Sequence, residues 1–182
     1  ELLRLRKFDS PLEGPPTLRF PYTEVATGSL GQGLSVGVGM AINARYLGKL
    51  SYKTYVLLGD SEMAEGSVWE AMEIAAHYKL DNLVGILDVN RLGQRGETLY
   101  GHNLKQFKIK AEAFGWKAII LSNGHNLAAC QKAFLAAQKI KGQPIMIIAK
   151  TLKGKGVPLM ENKEHWHGRP LSPEELERTL WK

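Results

Sequence analysis

The sequence predicts an α/β fold, a doubly wound, mostly parallel sheet with helices on both faces. Four short apolar runs are continuous rather than alternating in polarity, which is typical of strands covered on both faces. Amphipathic helical segments separate these runs, so that strand and helix alternate along the chain. The chain has 182 residues, of which 44% are hydrophobic. This length suffices for one domain core and is short for two ordinary domains.

The elements follow in chain order. The predicted strands are residues 54–58, 83–87, 117–121 and 144–149. The predicted helices are residues 66–78, 104–114 and 127–140, and a glycine-rich helical window covers residues 29–47. Each internal glycine costs a helix about 1 kcal/mol relative to alanine. We therefore expect Gly37 and Gly39 to permit close packing, and the helix entry at Gly28 to face a ligand.

Changes in composition divide the chain into three parts. Residues 1–27 are interpreted as an incomplete N-terminal segment. The chain has no initiator methionine, and its first residues resemble the end of a helix. Residues 28–171 form the predicted ligand-binding domain. Residues 172–182 are expected to form a C-terminal helix, because Ser172 and Glu175 have the spacing of a capping box.

Composition narrows the classes of function. No apolar run approaches the roughly 18 residues that a membrane span needs, and the first residues lack a signal-peptide core. We therefore expect a cytoplasmic protein that contacts no membrane. The net charge is +6. Small phosphorylated ligands explain this excess better than nucleic acid, because the lysines of residues 105–110 lie on a solvated helix face and no aromatic residues interleave with the lysines of residues 139–155. The single cysteine, Cys130, excludes an intrachain disulfide and is expected to be a buried structural thiol.

Polar residues follow two successive predicted strands. Asp60, within the Gly-Asp-Ser-Glu sequence of residues 59–62, follows one strand, and Asn90 follows the next at a separation of 30 residues. The intervening helix climbs about 20 Å, about the length of a six-residue strand, and so returns the chain to its starting level. Both residues therefore lie at the edge where open α/β sheets bind ligands. The tetrapeptide alone is explained by a turn; its pairing with Asn90 favours a shared site.

The oxygen atoms near this edge suit a hard divalent cation. The Asp60 carboxylate, the Asn90 amide oxygen and a nearby carbonyl such as that of Leu92 are ligands for Mg²⁺ or Ca²⁺ and unsuited to zinc. Diphosphate oxygens and a water would complete the octahedron of Mg²⁺. A diphosphate also needs amide donors, which the turn at residues 28–31 and the start of the helix at residues 66–78 can supply.

Four sequence blocks stand out beside these features. They are Ala-Thr-Gly-Ser-Leu-Gly-Gln-Gly at 26–33, Glu-Gly-Ser-Val-Trp-Glu-Ala at 65–71, Asn-Arg-Leu-Gly-Gln at 90–94 and Trp-His-Gly at 166–168. The blocks resemble the transketolase family of thiamine diphosphate enzymes, and the Gly-Asp-x-Glu sequence with the downstream asparagine resembles the thiamine diphosphate motif. The resemblance spans residues 13–171 and identifies residues 28–171 as a thiamine diphosphate-binding domain on the diphosphate side. It implies thiamine diphosphate- and Mg²⁺- (or Ca²⁺-) dependent transfer of a two-carbon ketol unit from a ketose phosphate to an aldose phosphate.

The resemblance also implies roles for individual residues. The implied metal ligands are Asp60, Asn90 and the Leu92 carbonyl. The implied cofactor-binding residues are Gly28, Ser29, Leu30, Ser61, Asn90, Lys153 and His167. His167 is in addition implied to be catalytic, between the diphosphate and the substrate. Glu65 and Glu70 are implied at a subunit interface, although both would also suit the dipole at the start of a helix.

Other histidines carry no implied role. His165 is interpreted as a loop residue, and His77, His102 and His125 as structural or solvated residues.

Two positions depart from the family pattern. Ser61 stands where glycine is usual, which is tolerable because the position works through its backbone amide. Pro15 stands where the family has a histidine implied in substrate contact, which leaves substrate handling open.

The chemistry also requires a pyrimidine-binding, C-terminal half or subunit, and the expected assembly is a homodimer or a heterotetramer acting on sugar phosphates.

Two alternative functions remain open. One is another thiamine diphosphate enzyme such as deoxyxylulose phosphate synthase, which the blocks at 92–94 and 166–168 disfavour. The other is a non-catalytic transketolase-like regulatory or scaffold protein, which Pro15 favours.

Overall fold

A four-stranded parallel sheet forms the centre of the computed structural model, which describes residues 2–28 and 30–180. The strands are β1 (Thr54–Gly59), β2 (Leu83–Val89), β3 (Lys117–Leu121) and β4 (Ile145–Lys150). All three pairings are parallel, and the spatial order is β1-β2-β4-β3. The predicted strands are confirmed within two residues at each end.

Five α-helices accompany the sheet in the described part of the chain. They are α1 (Gln32–Ile42), which continues as a π-helical turn at Asn43–Leu47, α2 (Gly66–His77), α3 (Leu104–Ala113), α4 (Leu127–Lys139) and α5 (Pro173–Leu180). Helices α1, α2 and α3 share one apolar cluster on one face of the sheet, and α4 packs in a second cluster on the other face. Neighbouring residues of β4 alternate between the clusters, since Met146 and Ile148 belong to the first and Ile145 and Ile147 to the second. The doubly wound α/β prediction is confirmed.

The glycine-rich helix differs in part from its prediction. It begins at Gln32, because Gly31 has a left-handed φ of 79° that ends the preceding loop. A Cβ on Gly37 would lie 2.4 Å from Val56 Cγ2, which confirms close packing of α1 on β1. The same expectation is wrong for Gly39. Within residues 2–28 and 30–180, a Cβ built there meets no atom within 4 Å beyond its chain neighbours and the backbone of its own helix.

The C-terminal helix begins with the predicted capping box. The Glu175 amide donates to Ser172 Oγ at 3.1 Å, and the Ser172 amide donates to Glu175 Oε2 at 2.9 Å. Two of the otherwise unpaired amides at this helix start are thereby satisfied. The division of the chain at residues 27 and 171 stays a prediction.

Two smaller features complete the fold. Cys130 is half-buried rather than buried, and its Sγ donates to the Gly124 carbonyl at 3.4 Å, as a structural thiol does. None of the helices in residues 2–28 and 30–180 has the length and apolar character that crossing a bilayer requires.

Candidate functional site

The register of β1 and β2 brings the predicted site residues together. Gly59 pairs with Asp88, so that Asp60 and Asn90 follow adjacent strand ends at the carboxyl edge of the sheet. The Asp60 amide donates to the Asp88 carbonyl at 3.2 Å, which extends the strand pairing by one residue. The expectation that Asp60 and Asn90 share one edge is confirmed.

Asp60 is a buried carboxylate. Asp60 is 4% exposed. Its Oδ2 accepts hydrogen bonds from the Arg91 amide at 2.6 Å and from Thr98 Oγ1 at 3.3 Å. Burial raises the pKa of Asp60 above its ordinary value, and the nearby Asp88 charge adds to this, although hydrogen bonds from Arg91, Thr98 and the Ser61 amide act against it. A carboxylate held ionised in such a place gains from a cation beside it.

Asp88 fixes the orientation of the Asn90 side chain. Asn90 Nδ2 donates to Asp88 Oδ2 at 2.9 Å, and the Thr151 hydroxyl donates to Asp88 Oδ1. The remaining amide atom of Asn90, Oδ1, accepts from the Leu92 amide at 3.1 Å. Because Nδ2 is committed to Asp88, Asn90 presents its oxygen away from that carboxylate, toward the loop that carries Leu92.

Lys153 connects the predicted metal and catalytic residues. Its Nζ donates to the carbonyl of Leu92 at 3.3 Å and to that of Gly93 at 3.4 Å. The same Nζ lies 3.2 Å from Nδ1 of His167. Burial lowers the pKa of Lys153, while the charges of Asp60 and Asp88 raise it. A cation is therefore already held at the carbonyl that the sequence predicts as a metal ligand.

Glu62 links the entry of α1 to the end of β1. Its Oε1 accepts from the Gly31 amide at 2.9 Å, and its Oε2 accepts from the Gly59 amide at 2.7 Å. The Gly31 amide, one of the donors expected for a diphosphate, is thus already paired within the chain. Gly28 and Leu30 are exposed, whereas the predicted cofactor residue Ser29 lies outside the described residues.

The predicted interface residues lie on the protein surface of this chain. Glu65 is the N-cap of α2 and makes no side-chain capping hydrogen bond, and Glu70 is exposed on the same helix. Ser61, with an exposed side chain, lies between Asp60 and this helix. Both positions remain compatible with an interaction with the helix dipole, which requires no side-chain hydrogen bond. The interface role of both residues stays a prediction.

The loop that carries Lys153 and His167 is anchored at its start by two histidines. His102 Nε2 lies 3.0 Å from the Thr151 carbonyl, and His125 Nε2 accepts from the Leu152 amide at 2.8 Å. The structural interpretation of these two histidines is confirmed.

Arg91 anchors the middle of the same loop. Its guanidinium donates to Asn162 Oδ1 at 2.9 Å and to the Asn162 carbonyl at 3.1 Å. His165 is exposed, in agreement with its interpretation as a loop residue, and Pro15 is exposed in the N-terminal segment.

Sequence reasoning missed the roles of Asp88, Glu62 and Arg91. Asp88 stands within a strand that is otherwise apolar, and a carboxylate there indicates a partner at the strand end. Glu62 belongs to the Gly-Asp-Ser-Glu sequence, but its partner Gly31 is 31 residues away and cannot be identified from spacing. Arg91 reaches across 71 residues to Asn162, which only the fold brings close.

A cavity of about 430 Å³ opens beside Asp60. Its walls include Ser61, Met63, Phe107 and the loop at residues 93–100. Within residues 2–28 and 30–180 no group of three or more His, Cys, Asp or Glu side chains is arranged to hold a metal. The donors at this edge are instead one carboxylate, one amide oxygen and one carbonyl, a set that fits Mg²⁺ or Ca²⁺.

Comparison with known proteins identifies the domain that carries this site. The family model described as transketolase, thiamine diphosphate binding domain, matches residues 1–182. The chain belongs to the transketolase family. The resemblance of the sequence blocks to transketolases is confirmed, and this is a thiamine diphosphate-binding domain.

Relatives and solved structures agree with this assignment. Over 180 residues, 99% of this chain, it is 52% identical to transketolase of Homo sapiens, of which it covers 28%. It is 49% identical to transketolase-like protein 2 of Homo sapiens over 99% of this chain and 29% of that protein. A transketolase of Pichia stipitis in complex with sedoheptulose 7-phosphate superposes with a TM-score of 0.86 at 28% identity, covering 98% of this chain and 28% of that one. The chain thus spans less than a third of the transketolases it matches.

Proposed function

We propose that this chain is the diphosphate- and metal-binding part of an enzyme that transfers a two-carbon ketol unit from a ketose phosphate to an aldose phosphate. The observation that carries the proposal is a contact at the carboxyl edge of β1 and β2 in a transketolase-family domain. The buried Asp60 carboxylate there accepts from the Arg91 amide, within the loop that carries Asn90 and Leu92. The complex of the Pichia stipitis relative with sedoheptulose 7-phosphate supports a ketose phosphate as substrate class.

Asp60, Asn90 and the Leu92 carbonyl would hold Mg²⁺ or Ca²⁺. The buried Asp60 carboxylate and the neighbouring Asp88 charge attract a cation, and the oxygen ligands suit a hard one. Lys153 now donates to the Leu92 carbonyl, so its ammonium would leave that oxygen when a metal takes it. Freed from Leu92, Lys153 would remain within reach of a diphosphate as a positive point charge.

Bound thiamine diphosphate supplies the carbanion chemistry of ketol transfer. The chain itself would bind the diphosphate through the exposed residues Gly28 and Leu30, with Ser29 and the Ser61 amide as further predicted contacts. His167 would hold and move a proton at a sugar oxygen. Its Nδ1 faces Lys153, so Nε2 is the nitrogen that remains for the substrate.

The remaining chemistry requires a second protein part. A pyrimidine-binding, C-terminal half would supply the glutamate that activates the cofactor ring, and dimers would join through the α2 region that carries Glu65 and Glu70. In support, both carboxylates are exposed on this chain, and buried ionic groups at an interface require partners. Leu57, 71% exposed on β1, is an apolar residue that a second part would cover.

Metal-dependent cofactor binding tests the proposal most directly. Calorimetry of thiamine diphosphate binding to the assembled enzyme should show that affinity requires Mg²⁺ or Ca²⁺ and collapses in Asp60→Ala. Glu112→Ala, which removes an exposed carboxylate on α3, is the matched control and should leave affinity unchanged. Equal affinity with and without divalent cation would remove the metal assignment.

A separate experiment tests whether ketol transfer requires a C-terminal half. Mixing this chain with a separately expressed C-terminal half should produce ketol transfer, measured with a coupled assay, and sedimentation should show assembly. This chain alone, saturated with cofactor and metal, should show no turnover. Robust turnover by the isolated chain as a monomer would contradict the proposal that ketol transfer requires the C-terminal half.

A non-catalytic, transketolase-like protein is the second candidate function. Pro15, at the position where a substrate-contacting histidine is expected, favours it, and so does the similarity to transketolase-like protein 2. Cofactor binding without ketol transfer in the assembled protein, restored by Pro15→His, would distinguish the two candidates.

A further inference from the structure

A second polar cavity, of about 380 Å³, lies at the opposite edge of the sheet from the cofactor site. Lys53 enters it immediately before β1, Asp81 and Asn82 enter it before β2, and Lys141 enters it before β4. The π-helical turn after α1 contributes Arg45. Strand β1 has six residues, so the two sites are separated by about 20 Å of strand.

The charges around this cavity are strongly unbalanced. Its charged side chains are one carboxylate, Asp81, and four cations, Arg45, Lys49, Lys53 and Lys141. Asp81 Oδ1 accepts from Arg45 Nη1 at 2.8 Å, and Asp81 Oδ2 accepts from the Gly142 amide at 2.8 Å. Both carboxylate oxygens therefore accept a hydrogen bond, and Arg45 is the one cation of this cavity that forms an ion pair with Asp81 in the described part of the chain.

Three ammonium groups have no counter-ion in the part of the chain that the structure describes. No ion pair joins Lys49, Lys53 or Lys141 to a carboxylate within residues 2–28 and 30–180. Lys53 is half-buried, and its Nζ makes one hydrogen bond, to the Asp81 carbonyl at 3.2 Å. An ammonium has three N–H donors, so Lys53 retains two for a ligand.

The surroundings of Lys53 favour an anion beside it. Burial lowers the pKa of Lys53, and the like charge of Lys141 lowers it further, against the opposing effect of Asp81. An anion placed between the ammonium groups would relieve both the desolvation and the repulsion. Compact phosphate oxygens accept hydrogen bonds from several ammonium groups at once, which suits lysine as a point-charge donor.

We propose that this lysine pocket, the cavity bounded by Arg45, Lys49, Lys53 and Lys141, binds a small ligand through a dianionic phosphate group. The site is separate from the cofactor edge and independent of ketol transfer. The ligand is either inorganic phosphate or a small phosphate ester, since the cavity has room for a sugar-sized group beside the phosphate.

Calorimetry with inorganic phosphate, at constant ionic strength and with a chelator present, tests the pocket. We expect saturable binding that weakens at least tenfold in Lys141→Met. Lys132→Met, which removes an exposed lysine of α4 outside the pocket, is the matched control and should bind as the parent does. Lys141 is itself exposed, so its substitution should leave the core unchanged.

A second set of variants distinguishes this pocket from the cofactor edge. Lys53→Met should abolish phosphate binding, and Lys153→Met should leave it unchanged; if Lys53→Met does not fold, Lys141→Met alone decides. No saturable binding, equal binding in Lys141→Met, or loss in Lys153→Met would overturn the proposal. Glucose 6-phosphate in place of inorganic phosphate identifies the source: tighter binding supports an esterified ligand in the pocket, and weaker binding supports free phosphate there.

Discussion

Replacing Glu62 by alanine should destabilise the fold, because one carboxylate holds two separate backbone amides. The Gly31 amide donates to it at 2.9 Å and the Gly59 amide at 2.7 Å. A hydrogen bond to a charged group contributes about 1.5–3 kcal/mol, so the pair contributes about 3–6 kcal/mol at most. Glu62 is half-buried, and water can replace part of this. We expect the free energy of unfolding to fall by about 2–4 kcal/mol.

Glu62→Gln separates hydrogen bonding from the presence of the side chain. Its amide oxygen still accepts one bond, whereas its NH₂ group faces a second N–H donor. The loss should therefore lie near one charged hydrogen bond, about 1.5–3 kcal/mol, and should not exceed that of Glu62→Ala. Urea unfolding followed by circular dichroism measures both variants, with constant m-values as the sign of an unchanged unfolded state.

Glu112→Ala provides the control for this series. Its carboxylate lies 3.7 Å from Lys108 Nζ on the exposed face of α3, and such a pair contributes about 0.3–0.5 kcal/mol. If Glu62→Ala unfolds at the same urea concentration as Glu112→Ala, the two amide bonds do not stabilise the start of α1.

Three further predictions concern the cofactor edge. Asp88→Ala should weaken metal-dependent cofactor binding about 10–100-fold in calorimetry, as loss of a group that orients a ligand does. Asp88→Asn should weaken binding less, because the Thr151 hydroxyl can reverse and accept a hydrogen bond from the new amide. Equal losses of affinity in the two variants would show that the charge of Asp88, rather than the orientation of Asn90, matters. Asp60→Asn should raise the free energy of unfolding of the metal-free chain near neutral pH. Folding raises the pKa of Asp60, so the contribution of Asp60 to stability falls as the pH rises from the pKa of the unfolded state to that of the folded state. Urea titrations at several pH values should show a weaker pH dependence of stability in the variant. A variant less stable than the parent would contradict this prediction. His167→Ala in the assembled enzyme should lower turnover about 100-fold or more while changing cofactor affinity less, and turnover within about twofold of the parent would exclude general acid–base catalysis.

The sheet and its ligand-binding edge were predictable because their signals are local. Continuous apolar runs identified all four strands, and parallel pairing placed Asp60 and Asn90 at one edge whatever the strand order. The capping box at Ser172 was equally local, since both of its partners lie within one helical turn. The beginning of α1 was less predictable, because a glycine-rich segment is compatible with helix and turn alike.

Contacts between distant parts of the chain could not be predicted from spacing. The pairing of Glu62 with Gly31 depends on how α1 docks against β1. The lysine pocket depends on the spatial order of the strands, since β4 must lie beside β2 for Lys141 to approach Lys53. Periodicity and composition determine that a parallel sheet forms, but they leave this order open.

The contact of α1 with β1 couples the substitutions that positions 37 and 56 can accept. A methyl group added to Gly37 would lie 2.4 Å from a methyl group of Val56, below any distance that carbon atoms tolerate. A larger residue at position 37 is therefore accessible only after position 56 has become smaller, an order that passes through a void in the core. The reverse order passes through the clash itself. Among transketolase-family chains, we expect bulk at these two positions to covary inversely. The double variant Gly37→Ala, Val56→Ala should likewise fold better than Gly37→Ala alone.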